Sequence, residues 1–178
     1  MLAASCFPCA ASAQSSALPF DRGVKIEVVA SKPAPTRGGD WDDKTQKITL
    51  RLKFTNVNNR QSYEGHTAVV SAIGQSAADR DVRIVFIQEK VDLPLAPLKS
   101  CEHTCKEIVT KFDKTGLKFG YAYDGWVILV KDAGGKVVHV KSTSPSLEKM
   151  PDKVEKLVAG TCFDRNLAVT SGDPVSGR

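Results

Sequence analysis

The sequence predicts a mainly β protein, an immunoglobulin-like antiparallel β-sandwich with one late C-terminal helix. Three observations carry that expectation. About seven short runs with strand patterning are separated by Gly, Pro and Asn clusters. The stretch Gly120–Ser142, GYAYDGWVILVKDAGGKVVHVKS, holds two apolar runs joined by Asp132-Ala133-Gly134-Gly135, the strongest hairpin signal in the chain. Helical spacing stands out only late, at Leu147, Met150, Val154, Leu157 and Val158.

From the start, Met1–Ser16 is small, apolar and free of charge. Ala11-Ser12-Ala13 fits the small-x-small pattern before a signal-peptidase cut, so residues 1–13 read as the remnant of a secretory signal peptide and the protein as exported, to the periplasm or cell surface. Cys6 and Cys9 form a C-x-x-C inside that segment, where cleavage removes them. Val24, Ile26 and Val28 alternate with Lys25 and Glu27, a half-buried strand. Ser31–Lys44 is a long loop punctuated by Pro33, Pro35, Gly38 and Gly39. Its Asp40, Asp42 and Asp43 fit no calcium-loop spacing and read as a polar turn around Trp41.

Lys47–Asn56 is the clearest strand, with Ile48, Leu50, Leu52 and Phe54 on one face and Thr49, Arg51, Lys53 and Thr55 on the other. Tyr63–Ile73, Val82–Val91 and Lys106–Asp113 read as further strands, and Asp92–Ser100, with Pro94 and Pro97, as an irregular crossing. In the hairpin's first strand, Trp126, Ile128 and Val130 point one way and Val127 and Leu129 the other, because strand side chains alternate. An apolar strand on both faces needs cover on both. The cover is either the late helix or a second subunit. In the second case Val127 and Leu129, with Tyr121 and Tyr123 nearby, form an interaction surface. The helix is expected at about 145–159, with Pro151 and Asp152 suited to a helix start and Gly160 to its stop. Residues 14–170 make one domain, and 171–178 a polar, disordered tail.

Cys101-Glu-His-Thr-Cys105 invites a zinc reading, but structural zinc takes four ligands, usually in spaced pairs. His66, His139 and Cys162 show no matching spacing, so no metal is expected. In an exported protein, disulfide formation is the commoner fate. Cys101, Cys105 and Cys162 are the candidates, with Cys162 bridged to Cys101 or Cys105 and one thiol left over, or Cys101 bridged locally to Cys105.

The formal charge is +5, from 25 Lys and Arg against 20 Asp and Glu, with the signs interspersed rather than massed. That excludes a dedicated nucleic-acid site, and no apolar run is long enough for a transmembrane helix. The chain has no phosphate-binding glycine loop, H-E-x-x-H or nucleophile elbow, so no catalytic residue is assigned, and no cofactor. Tyr121, Tyr123 and Trp126 suit a sugar-stacking platform as well as core packing.

KITLRLKFTN, the GWVILVKDAGGKVVHVKS hairpin and CFDRNL together resemble small exported proteins of mucin-degrading gut bacteria, encoded beside type IV pilus-like assemblies. The resemblance covers Asp21–Val169 and implies an immunoglobulin-like sandwich. It rests on no functional motif and transfers no site residue. The expected function is therefore non-enzymatic binding or assembly, pilus-associated, with other protein subunits or a second copy of the chain as partners. The alternatives are a carbohydrate-binding module, with a glycan as partner, and a periplasmic enzyme or thiol protein.

Overall fold

The computed structural model describes residues 18–37, 44–113, 115 and 118–170. The expected leader with Cys6 and Cys9, the acidic loop around Trp41 and the polar tail lie outside these residues.

A helical turn α1 (Phe20–Gly23) leads into β1 (Val24–Ser31), β2 (Thr36–Arg37) and the long β3 (Lys44–Asn56). Then come β4 (His66–Ser76), β5 (Arg83–Leu93), β6 (Ser100–Thr104), β7 (Ile108–Asp113), β8 (Phe119–Lys131) and β9 (Val137–Ser142). Two short helical turns, α2 (Pro145–Glu148) and α3 (Pro151–Val154), precede a last short strand β10 (Cys162–Phe163). Neighbouring strands run antiparallel throughout, in the order β1-β3-β7-β8-β4-β5-β10, with β2 and β6 also on β3 and β9 on β8. The protein is mainly β, as the patterning predicts.

Two layers enclose the core. The first is β1-β3-β6, built on Thr49–Asn56 of β3. The second is β9-β8-β4-β5-β10. Val24, Ile26, Leu50, Leu52 and Phe54 of the first layer pack on Ala68, Val70, Val91, Leu93, Ile128 and Val130 of the second. Strand alternation supplies these faces: Leu50 and Phe54 are fully buried, while Arg51 and Lys53 between them are exposed. The layers are joined by β7, which pairs with Lys44–Ile48 of β3 on one side and with Phe119 and Gly120 of β8 on the other. Gly120 sits at that corner with φ +72, and a Cβ there would overlap the Lys111 carbonyl oxygen. A left-handed backbone and a close approach together require glycine.

The strand with two apolar faces is β8, and its cover comes from its own chain. Ile128 and Val130 enter the inter-layer core. Val127 and Leu129 face the other way, each only 2% exposed, under Leu147, Val154, Leu157, Phe163 and Leu167. They therefore present no surface to a second subunit. Burying each such side chain contributes about 1.5–3 kcal/mol. The single helix expected at about 145–159 is instead two four-residue turns. Pro151 explains the break: it has no N–H to continue a helix and disfavours helical geometry at Met150, whose φ and ψ are −128 and 56.

A polar knot closes one end of the sandwich. Asn56 is fully buried at the end of β3. Its Nδ2 donates to the carbonyls of Gln61, Leu95 and Ala96 at 2.7, 3.2 and 3.1 Å, and its Oδ1 accepts the Asn58 N–H at 2.9 Å. One side chain thus ties the β3–β4 loop to the segment after β5, adding a donor to the Leu95 and Ala96 carbonyls that already accept from the Tyr63 and Lys99 N–H groups.

Candidate functional site

β3 positions two edge strands, β1 and β6, and each faces an edge of the second layer across a seam. The hydrogen-bond parity of β3 tells which main-chain groups are left for those seams. The Cys105 N–H donates to the Leu50 carbonyl and the Asn56 N–H to the Lys99 carbonyl, both at 2.9 Å. Leu50, Leu52, Phe54 and Asn56 thus bond toward the β6 side, because an antiparallel residue directs both its groups the same way. Their opposite numbers on β1, namely Val24, Ile26, Val28 and Ala30, therefore turn their N–H and C=O groups to the open side.

At this first seam β1 faces β9. Lys141 Nζ from β9 donates to the Ile26 carbonyl at 2.8 Å. Asp21, Arg22, Lys25, His139 and Glu148 line the groove beside it. Burial holds the His139 imidazole below its ordinary pKa, outweighing the opposing effect of Asp21. Beyond Lys141 the edge runs on through Val28 to Ser31 in unbroken register with β3. The Val29 side chain there is 63% exposed.

At the second seam β6 faces the outer half of β5. Cys101, His103 and Cys105 share one face, two residues apart, and that face turns inward, with exposed Ser100, Glu102 and Thr104 between them. Cys101 Sγ lies 3.9 Å from the Asp92 carbonyl, to which its S–H donates. His103 Nε2 lies 2.9 Å from Glu89 Oε2. The Lys106 N–H donates to the other oxygen, Glu89 Oε1, at 2.8 Å. Glu89 has the parity of the core residues Val91 and Leu93 and pairs across the ladder with fully buried Val70. The ligand atoms of Glu89, His103 and Cys105 all lie within 4.8 Å of one another. Burial pushes the Glu89 carboxyl up, but the Lys106 N–H and the His103 ring outweigh it and hold it below its ordinary value. Burial, with the Glu89 charge behind it, pushes the Cys105 thiol up to about 12. Burial also raises Cys101, helped by Glu102.

No family model matches the chain, and no curated protein matches it. Some solved structures resemble it weakly. One from Akkermansia muciniphila is 14% identical over 70% of this chain and 75% of its own, with a TM-score of 0.34. A structural genomics target is 10% identical over 72% and 92%, at 0.35. A β-glucosidase from Kluyveromyces marxianus is 17% identical over 67% of this chain but 14% of its own, at 0.31. No helix among the described residues is long and apolar enough to cross a membrane.

The residues singled out from sequence fall in three places. The expected disulfide is absent: Cys101, Cys105 and Cys162 are all free thiols. Cys162 lies on β10 against Ile84 and Tyr121, whereas Cys101 on β6 and Cys105 just after it belong to the inter-layer core. Nor do Cys101 and Cys105 bridge, because an extended strand holds residues four apart at about 13 Å between Cα atoms, far beyond disulfide reach. A phosphine reductant is accordingly expected to leave the melting temperature unchanged. A drop in Tm on reduction, or a bridged peptide by mass spectrometry, would contradict this.

The aromatic candidates are turned into packing. Tyr121 is 6% exposed, with its hydroxyl 3.3 Å from Cys162 Sγ. Tyr123 and Trp126 are half-buried against the core. Burial, with Asp124 adding to it, pushes the Tyr123 phenol up to about 12. What sequence reasoning missed is Glu89 as the partner of the C-x-H-x-C run. The available signal was period two: Cys101, His103 and Cys105 alternate with exposed polar residues, and Glu89 occupies an inward register.

Proposed function

We propose that the protein is a non-enzymatic, exported binding or assembly protein that takes up an extended segment of another protein subunit along the open side of β1. The observation that carries this reading is the edge itself. Val28 and Ala30 offer outward main-chain N–H and C=O groups beside the exposed Val29 side chain, on a strand with neither bulge nor proline. A long regular edge is a template for strand addition, and natural proteins usually blunt such edges. Here Lys141 guards one end, at Ile26, and among the described residues no strand pairs with the open side of the other end. In strand addition the main chain supplies affinity and alternate side chains supply specificity. An incoming strand would lay its outer face beside Lys25, Glu27 and Val29.

Export is supported by Ala11-Ser12-Ala13, and the pilus-like setting by the sequence resemblance around KITLRLKFTN and the hairpin. The carbohydrate-binding alternative draws no support from Tyr121, Tyr123 and Trp126, which pack inward. The thiol-chemistry alternative draws none from Cys101 and Cys105, whose raised pKa values disfavour the reactive thiolate.

The test is a photo-crosslinking amino acid at Val29 in cells that produce the protein, with and without Ala30→Pro. Proline at Ala30 removes an outward N–H and no β3 ladder bond, so the fold and melting temperature should be kept. The expected result is a cross-linked protein species that disappears in Ala30→Pro. Equal cross-linking in both backgrounds, or none in either, sinks the reading.

A further inference from the structure

We propose that Glu89, His103 and Cys105 form a binding site for a divalent zinc-class ion that clips the two layers together at the β5–β6 seam. The donor set is one carboxylate, one imidazole and one thiol, the mixture that suits Zn²⁺ rather than Mg²⁺ or Ca²⁺, which take oxygen ligands. The three ligand atoms already lie within 4.8 Å of one another; a tetrahedral ion with bonds of about 2.0–2.3 Å sets its ligands roughly 3.3–3.7 Å apart, so the carboxylate and ring, now 2.9 Å apart, part slightly and the sulfur closes in.

The surroundings are those of a built site. Glu89 Oε1 is held by the Lys106 N–H, which orients the carboxylate and leaves Oε2 toward His103. Cys105 is 3% exposed and, just past the end of β6, its N–H is still anchored on the Leu50 carbonyl of β3. His103 is fixed on the same strand by pairing with Leu52. Two rigid edges thus present the ligands from opposite layers.

Charge also balances. A thiolate and a carboxylate neutralise a divalent ion, so the half-buried site carries no net charge, which a seam partly shielded from water would penalise. On binding, the Cys105 thiol gives one proton to solvent as the S–metal bond forms. The His103 Nε2 proton, which now faces the Glu89 carboxylate, leaves to solvent and the ring holds its one proton on Nδ1 instead, so that Nε2 is free to ligate. The ion lies where the His103–Glu89 hydrogen bond now runs. Three protein ligands leave a fourth position for water. Cys101 points to the Asp92 carbonyl, away from the trio, and takes no part.

The test is titration with Co²⁺ of the protein with Cys6 and Cys9 replaced by serine, so that their C-x-x-C pair cannot take the metal, kept reduced by a phosphine. The expected result is a thiolate-to-cobalt absorption band that saturates at one equivalent and is displaced by Zn²⁺. Zn²⁺ should also raise the melting temperature with concentration. Cys101→Ser and Cys162→Ser should keep the band, and Cys105→Ser should abolish it. Because a buried cysteine substitution can itself disturb folding, Glu89→Gln gives the independent arm. It keeps the shape and should weaken Zn²⁺ binding by about tenfold or more, the scale on which even supporting contacts act. Absence of a band in the protein that lacks only Cys6 and Cys9, its loss in Cys101→Ser, or undiminished affinity in Glu89→Gln each overturns the proposal.

Discussion

Val127→Asp is expected to unfold the protein rather than to release a subunit. The Val127 side chain is sealed under Leu147, Val154 and Phe163 within one chain. The substitution forfeits about 1.5–3 kcal/mol of apolar burial. It also leaves a carboxyl group without partners, which costs a further 1–3 kcal/mol or so even if the group protonates. A loss of roughly 3–6 kcal/mol is a large share of the ordinary 5–15 kcal/mol of domain stability. Urea unfolding measures it directly. A folded variant with the wild-type midpoint would show that the β8 outer face is covered by something other than Leu147–Leu167.

The second large effect is expected at Asn56. Asn56→Ala removes the contacts by which the two Nδ2 hydrogens reach three carbonyls, and one accepted bond, and leaves the Leu95 and Ala96 carbonyls without that donor. The expected cost is about 2–4 kcal/mol, again by urea unfolding. Asn56→Asp separates hydrogen bonding from shape. It keeps the acceptor for the Asn58 N–H but sets a carboxylate oxygen against three carbonyl oxygens, so its stability should fall as pH rises through the carboxylate range. Indifference of both variants would mean that the loops it joins are held without it.

Much of this fold was legible because apolar residues report strand parity directly. The alternation in Lys47–Asn56 and the two-faced run Trp126–Val130 gave β3, β8 and the need for a second cover. The segment supplying that cover, around Leu147–Leu157, was also visible, and Pro151 as a helix start, but the apolar spacing runs on across Pro151, so two turns read as one helix. β6 stayed hidden because its inward residues are Cys, His and Cys. Polar letters conceal a period that Val or Ile would have announced. The same holds for Glu89: it shares the parity of Val91 and Leu93, but a carboxylate in that register masks the alternation that an apolar residue would have shown. The disulfide expectation failed for a related reason. Whether two cysteines meet depends on which layer and edge each occupies, and that is set by β7 crossing between layers, not by spacing along the chain.

The crossing also has a consequence in time. β3 is flanked by β1, made before it, and by β6 and β7, made long after it. Between Asn56 and Ser100–Thr104 the ribosome must add on the order of 50 residues, which takes roughly 3–10 s at ordinary elongation rates. For those seconds a nascent chain carries a finished β1–β3 ribbon whose other margin is bare.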